Sequence, residues 1–500
     1  MAAAIVALAG CSSLEPHALA PRDVLATARA DKARAAADVE PLQGPLTLEE
    51  AIARTIKYNA ERRLKAMEEA VAAGTFEAGK FDMLPKLVAS AGYRYRDKEL
   101  ITRSEDSVTG APALANPFIS TDRTAITTGL EFTWSLLDFG QSYYAARQNA
   151  DRVLVAAERR RRAVNTLIQD VRTAYWRVVA ADKLGEEVRR VVAEAEGALA
   201  DARKAENERL RPPLEPLRYQ RQLLENLRLL ELVRQELSTA RVELAALTNL
   251  PLAQRIEVVA PDTSIGTAWL EVPVEQMEEH ALMLNPELRE SMYNARIARE
   301  ETRRVLLRLF PGLSFNYGGK TSDDRFLIND HWREAGIQTS FNLLNLVAAP
   351  AQMRLADAGV ALADQKRLAA QMAVLAQLHI ARLQFSNAVR QYERANVIAG
   401  VDARIAEQVA NQEQAARQTK LERVSQDTAS ILSSLRRYQA LSNAQAAASR
   451  LQATLGLEPA VNGSDALPLK QLTAAVARSM NDWKSGRLPI VPASTKPAQR

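Results

Sequence analysis

Gly129-Leu130-Glu131-Phe132-Thr133-Trp134-Ser135-Leu136-Leu137-Asp138 returns 207 residues later (129 to 336) as Gly336-Ile337-Gln338-Thr339-Ser340-Phe341-Asn342-Leu343-Leu344-Asn345. The same offset carries Leu214-Glu215 onto Leu421-Glu422 and Leu250 onto Leu457. Self-similarity this long marks an internal duplication. Upstream, Asn59-Ala60-Glu61-Arg62-Arg63-Leu64 matches Asn285-Pro286-Glu287-Leu288-Arg289-Glu290, and each Asn is followed 26 residues on by a proline, Pro85 or Pro311. The halves differ mainly between their strands: Pro85 to Gly129 is 44 residues, Pro311 to Gly336 only 25.

Both copies of the stretch alternate apolar and polar residues. Period two places each set on one face of a strand. Ile126, Leu130, Phe132, Trp134 and Leu136 oppose Thr127, Gly129, Glu131, Thr133 and Ser135. Ile337, Phe341 and Leu343 oppose Gln338, Ser340 and Asn342. The strand after each matched proline behaves alike, with Leu87, Ala89, Ala91, Tyr93 and Tyr95 on one face, then Leu313, Phe315 and Tyr317. Expected strand ranges are about 84–102, 123–138, 311–320 and 335–346. An apolar face rich in aromatics opposite a polar one is what a lipid-facing barrel wall needs. Tyr93, Tyr95, Phe132, Trp134, Phe315, Tyr317 and Phe341 are the expected lipid-facing residues. The competing reading is a soluble antiparallel sheet packed on helices. In lipid, four strands leave open edges that the bilayer does not tolerate, and the smallest barrels need about eight. Membrane strands therefore demand several copies sharing one barrel.

Long helices flank the strands. Val164, Leu167, Ile168, Val171, Tyr175 and Val178 follow helical spacing. At ~1.5 Å per residue, a helix from Gln141 to about Asn207 runs roughly 100 Å. Its return partner carries Leu223, Leu230, Leu237 and Leu244, a seven-residue seam, with Leu227 adding a contact. The second half repeats this between Pro350 and Gly456. The turns between long helices read Arg211-Pro212-Pro213-Leu214-Glu215-Pro216 and Thr419-Lys420-Leu421-Glu422, a proline start and a capping-box start at matched positions. Such helices pack lengthwise on neighbours. Periodicity alone leaves a coiled-coil spacer and a hollow cylinder both open.

Composition excludes several classes. The 500 residues are 47% hydrophobic but 5% aromatic, and 65 Lys and Arg nearly balance 60 Asp and Glu. No basic patch alternates with aromatics as a single-strand nucleic-acid groove would need. No window approaches about 20 apolar residues, so no transmembrane helix is expected. His17, His280, His331 and His379 are dispersed without ligand spacing, no phosphate-cradling loop appears, and neither metal, cofactor nor catalysis is expected. The one cysteine follows Leu8-Ala9-Gly10. Leu-Ala-Gly-Cys resembles a lipoprotein lipobox, so Cys11 is the expected lipid attachment site and 1–10 the signal. Only ten residues precede Cys11 and none is Lys or Arg, whereas a signal peptide needs a positive start. A start further upstream, or a trimmed chain, is the expectation.

Several motifs together resemble the TolC-like outer-membrane factors: Leu46-Thr47-Leu48-Glu49-Glu50-Ala51-Ile52, Asn285-Pro286-Glu287-Leu288, Leu84-Pro85-Lys86-Leu87, Trp134-Ser135-Leu136-Leu137-Asp138-Phe139-Gly140 and Leu455-Gly456-Leu457. Their order spans about 46–457. The resemblance implies a mainly α protein with membrane β structure: a homotrimer, a shared twelve-stranded barrel, and long antiparallel helical hairpins forming a tunnel. It also implies a periplasmic adaptor and an inner-membrane pump as partners, in a tripartite efflux system. A type I protein secretion system, or a non-channel coiled-coil envelope scaffold, is the alternative. Family members carry acidic residues at the hairpin tips; here Glu215 and Glu422 keep the first, while the second reads Arg218 and Ser425. These four are the candidate mouth residues, with an Arg218–Glu215 latch as one reading and a solvated helix end as the plainer one. The expected domains are a lead at 11–46, repeats at 47–250 and 273–457, a linker at 251–272, and a polar tail at 458–500, disordered or draped on a neighbour.

Overall fold

The computed structural model describes residues 18–208, 214–415, 417–459 and 466–488. The first half runs α1 (Pro21–Ala37), α2 (Leu48–Tyr58), α3 (Ala60–Lys80), β1 (Lys86–Tyr95), the short β2 (Ile101–Thr102) and β3 (Phe118–Ile119), β4 (Thr124–Ser135), α4 (Leu136–Asn207), α5 (Leu214–Ser238) and α6 (Ala240–Thr248). The second repeats the order as α7 (Val274–Leu284), α8 (Pro286–Leu307), β5 (Gly312–Ser322), β6 (His331–Ser340), α9 (Leu344–Gln414) and α10 (Lys420–Thr454), and α11 (Leu469–Lys484) follows. No helix among the described residues is long and apolar enough to cross a membrane. The duplication is visible in capping. Asn59 Oδ1 accepts from the Glu61 and Arg62 amides at 3.0 and 3.2 Å, and its repeat partner Asn285 accepts from Glu287 and Leu288 at 2.9 and 3.1 Å. Each asparagine satisfies otherwise orphaned N–H groups where a second helix begins.

Two compact units form, one from residues 18–64, 163–277 and 378–488, the other from Lys65–Arg162 and Glu278–Gln377. Both repeats contribute to both. In the first unit, every position of the expected stripes is buried: Val164, Leu167, Ile168, Val171, Tyr175 and Val178 on α4, and Leu223, Leu227, Leu230 and Leu237 on α5, with Leu244 on α6. The return helix is not continuous, because Thr239 separates α5 from α6. Leu46 bridges Val258 in parallel, and the Tyr175 hydroxyl sits between the Leu46 and Val259 carbonyls at 2.7 and 2.6 Å. That hydroxyl ties the lead and the linker to α4.

The tail, expected to be disordered or draped on a neighbour, contains α11. Leu469, Leu472, Val476, Met480 and Trp483 are buried on one side of it, and the helix packs on α2. Lys57 Nζ donates to the Leu467 carbonyl at 2.9 Å. Arg172 of α4 lies fully buried, donating to Ser449 Oγ with its guanidinium 5.9 Å from the Trp483 ring. Burial pulls this guanidinium down to about 10, against the field of Glu49. A charge without water needs such partners or it destabilises the fold.

The second unit holds an antiparallel sheet ordered β1-β4-β5-β6. Below it α4 and α8 are joined by ion pairs whose carboxylates are buried: Arg296 to Asp151 at 2.9 Å, Arg289 to Glu158 at 2.6 Å and Arg147 to Glu300 at 3.0 Å. These pairs fix helix register, since a shift would strand a buried charge. Three strands differ from expectation at their ends. β1 stops at Tyr95, and residues 101–102 belong to the separate β2–β3 ribbon. β4 stops at Ser135, so Leu136, Leu137 and Asp138 are helical. β6 begins at His331 and ends at Ser340, so Phe341 and Leu343 lie beyond the sheet. The ladder ends there because its partner starts at Gly312, and because Asn342 Oδ1 accepts the Leu344 amide at 3.1 Å to open α9.

Candidate functional site

Two places carry the candidate residues: the sheet and the hairpin ends. In the sheet, register decides which side chains share a face. Leu87, Phe132, Tyr317 and Ala335 lie in one row across all four strands. Trp134, Phe315 and Ile337 form the next, with the Trp134 and Phe315 rings stacked 6.2 Å apart. Tyr93 opposes Ile126, and Tyr95 opposes Thr124. Six of the seven expected aromatics therefore share one side of one sheet, and only Phe341 does not. Gly336 sits opposite Asn316 on the other side, where an added Cβ would lie 2.6 Å from Asn316 Oδ1.

Most of the apolar face is uncovered, while Trp134 and Phe315 are half-buried. Tyr93 is 69% exposed and Ile337 71%. All ten residues of β1 are exposed, on both faces. A soluble sheet packed on helices would instead bury every second residue. The outer sides of β1 and β6 pair with no strand among the described residues. Starting β6 early brings His331 and Arg333 onto the apolar side, in the rows of Thr321 and Gly319. The Arg333 stem can lie along the greasy surface with its charge at the polar border. On the other face, Lys320 and Glu334 pair at 2.7 Å and Trp332 Nε1 donates to Glu334 at 2.6 Å.

At the hairpin ends, α5 starts at Leu214, with Pro216 in its first turn. Thr419 Oγ1 accepts the Glu422 amide at 3.2 Å and so caps α10. Glu422 does not reach back to complete the box; its carboxylate accepts from Gln426 Nε2 at 3.0 Å. Ser425 Oγ accepts from Asn226 Nδ2 of α5 at 3.1 Å, which joins the two repeats. Arg218 is exposed.

A cluster of ion pairs lies at residues the motif comparison passed over. Arg190 Nη2 of α4 reaches Asp427 Oδ2 of α10 at 3.3 Å, and Arg190 Nη1 reaches Glu194 at 2.8 Å. Arg423 meets Glu413 of α9 at 3.2 Å, Glu194 at 3.8 Å and Asp427 at 3.9 Å. Two guanidiniums thus bridge three carboxylates on three helices. Burial raises the Asp427 carboxyl above its ordinary value, and Arg190 and Arg423 pull it back only in part. The sequence signal was the acidic residue itself; its partner on α4 is 237 positions away.

No family model matches the sequence, and no curated protein does. Solved structures do. A membrane protein from Pseudomonas aeruginosa aligns at TM-score 0.65 and 15% identity, over 84% of this chain and 92% of that one. The CmeC outer membrane channel of Campylobacter jejuni aligns at 0.63 and 12%, over 88% and 89%. The open-state MtrE outer membrane channel of Neisseria gonorrhoeae aligns at 0.61 and 14%, over 82% and 88%. This chain has the TolC-like outer-membrane channel fold. The TolC-like fold combines helical hairpins with a small antiparallel sheet, the combination seen here. Cys11, the expected lipid site, lies outside the described residues.

Proposed function

We propose that three copies of this chain close a twelve-stranded barrel in the outer membrane and act as a passive conduit of a tripartite efflux system. The reading rests on one observation: a largely uncovered apolar face bordered by two open strand edges. In lipid each open edge would strand backbone N–H and C=O groups at several kcal/mol apiece, so the edges must pair with those of other copies. Four strands from each of three copies exceed the roughly eight that a barrel requires. CmeC and MtrE are outer membrane channels, and their likeness in fold supports the same use here. The ends of the hairpins α4–α5 and α9–α10 would dock a periplasmic adaptor and, through it, an inner-membrane pump. A lipid on Cys11 would hold the lead at the membrane.

Purified protein in a planar bilayer is expected to give discrete conductance steps. A coiled-coil envelope scaffold, the reading from a different class, gives none. Palmitate labelling lost in Cys11→Ala supports the anchor independently of conductance.

A further inference from the structure

A groove of about 710 Å³ opens in the first unit between α4, the α5–α6 break and the start of the linker. Arginine dominates its rim. Arg189, Arg234, Arg241 and Arg255 line it against only two carboxylates, Asp182 and Glu186. Arg189 pairs with Glu186, and Arg241 with Asp182. Arg241 Nε is nevertheless buried without a hydrogen-bond partner. Arg234 makes no ion pair among the described residues, and Arg255 approaches Glu257 only to 3.9 Å. The lining therefore carries a surplus of two positive charges.

The floor is apolar. Val188, Leu237 and Leu252 line it beside Gly185, in the interior of α4. A glycine there costs the helix about 1 kcal/mol relative to alanine. Nothing within the chain demands it, because a Cβ at Gly185 would meet no atom within 4 Å. What the missing side chain preserves is the depth of the groove. By helical rise the site lies about 33 Å along α4 from the helix end at Asn207, so it is separate from the hairpin end.

We infer that this groove binds an acidic segment of a partner protein, carboxylates on the arginine rim and apolar side chains on the floor. Guanidinium forks match carboxylates in a two-point geometry. A lone small anion would leave most of this volume, and its apolar floor, unused. The inference does not depend on conductance, so it and the channel reading stand or fall separately.

The test uses the full chain in detergent and a short fluorescent peptide of alternating glutamate and leucine, read by anisotropy. Saturable binding is expected, with the glutamine-for-glutamate peptide silent. Arg234→Ala should weaken binding about tenfold, the loss of one charge-assisted hydrogen bond. Gly185→Leu keeps every charge and favours the helix, yet should abolish binding by filling the floor. Arg390→Ala, on α9, removes one exposed charge elsewhere and should change nothing. No saturable binding, equal weakening by Arg390→Ala, or full binding by Gly185→Leu overturns the inference. So does displacement by inorganic phosphate beyond that of sodium chloride at equal ionic strength, which would assign the groove to phosphate esters.

Discussion

Asp427 shows two physical effects opposed at a single side chain. It is buried, which disfavours its charge, yet Arg190 and Arg423 favour it, and burial wins. A carboxyl whose value is raised on folding adds stability below its unfolded value, near 3.9. That contribution fades as pH climbs through the raised folded value. Asp427→Asn removes the titration and keeps the shape. The melting temperature of Asp427→Asn minus that of the native chain should therefore rise with pH from about 4 upward and then level off. Thermal melts across acidic to neutral pH check this, and a difference constant with pH would refute it. The same residue shows where sequence reading stops. Glu215, Arg218, Glu422 and Ser425 were found because the resembling family's acidic tip positions fall on them, whereas the pairing of Asp427 with Arg190 needs two helices to meet. Nothing in local spacing announces a partner so distant.

Elements were far more legible, because their side-chain periods are written directly in the order of residues. The seven-residue leucine series became a buried seam at every position. Leu230→Ala, wholly buried on α5, should cost about 2–5 kcal/mol, seen as a lower denaturant midpoint with an unchanged slope. Strand interiors were equally clear, and strand ends were not. Phe341 continues the alternation perfectly, but the ladder stops where β5 runs out and where Asn342 turns the chain into α9. Pairing length is a property of two strands, so one strand cannot disclose it. In α11 the signal was present and overlooked. Leu469, Leu472, Val476, Met480 and Trp483 recur at helical spacing, but the polar residues around them disguised the stripe. The partner that makes this stripe meaningful, α2, lies some 410 residues earlier.

At the scale of the whole molecule, the sheet face is the feature that the proposed function depends on. Phe132→Arg places a charge in the central row, at a cost of about 2–4 kcal/mol if that row lies at mid-bilayer. Less protein should then appear in outer-membrane fractions, while Thr133→Arg, on the opposite face, should leave the amount nearly unchanged. Equal loss from both would mean that the two faces do not differ in their surroundings. The two borders of the sheet have one more consequence. Because β1 and β6 are different edges, copies joining through them do so head to tail, as links in a closing ring. Two linked copies still present a raw edge at each end, so a pair is no resting state. In a cell making both sound and edge-damaged chains, each damaged chain would strand its sound companions. Such a mutation would behave as dominant, with harm out of proportion to its share of the pool.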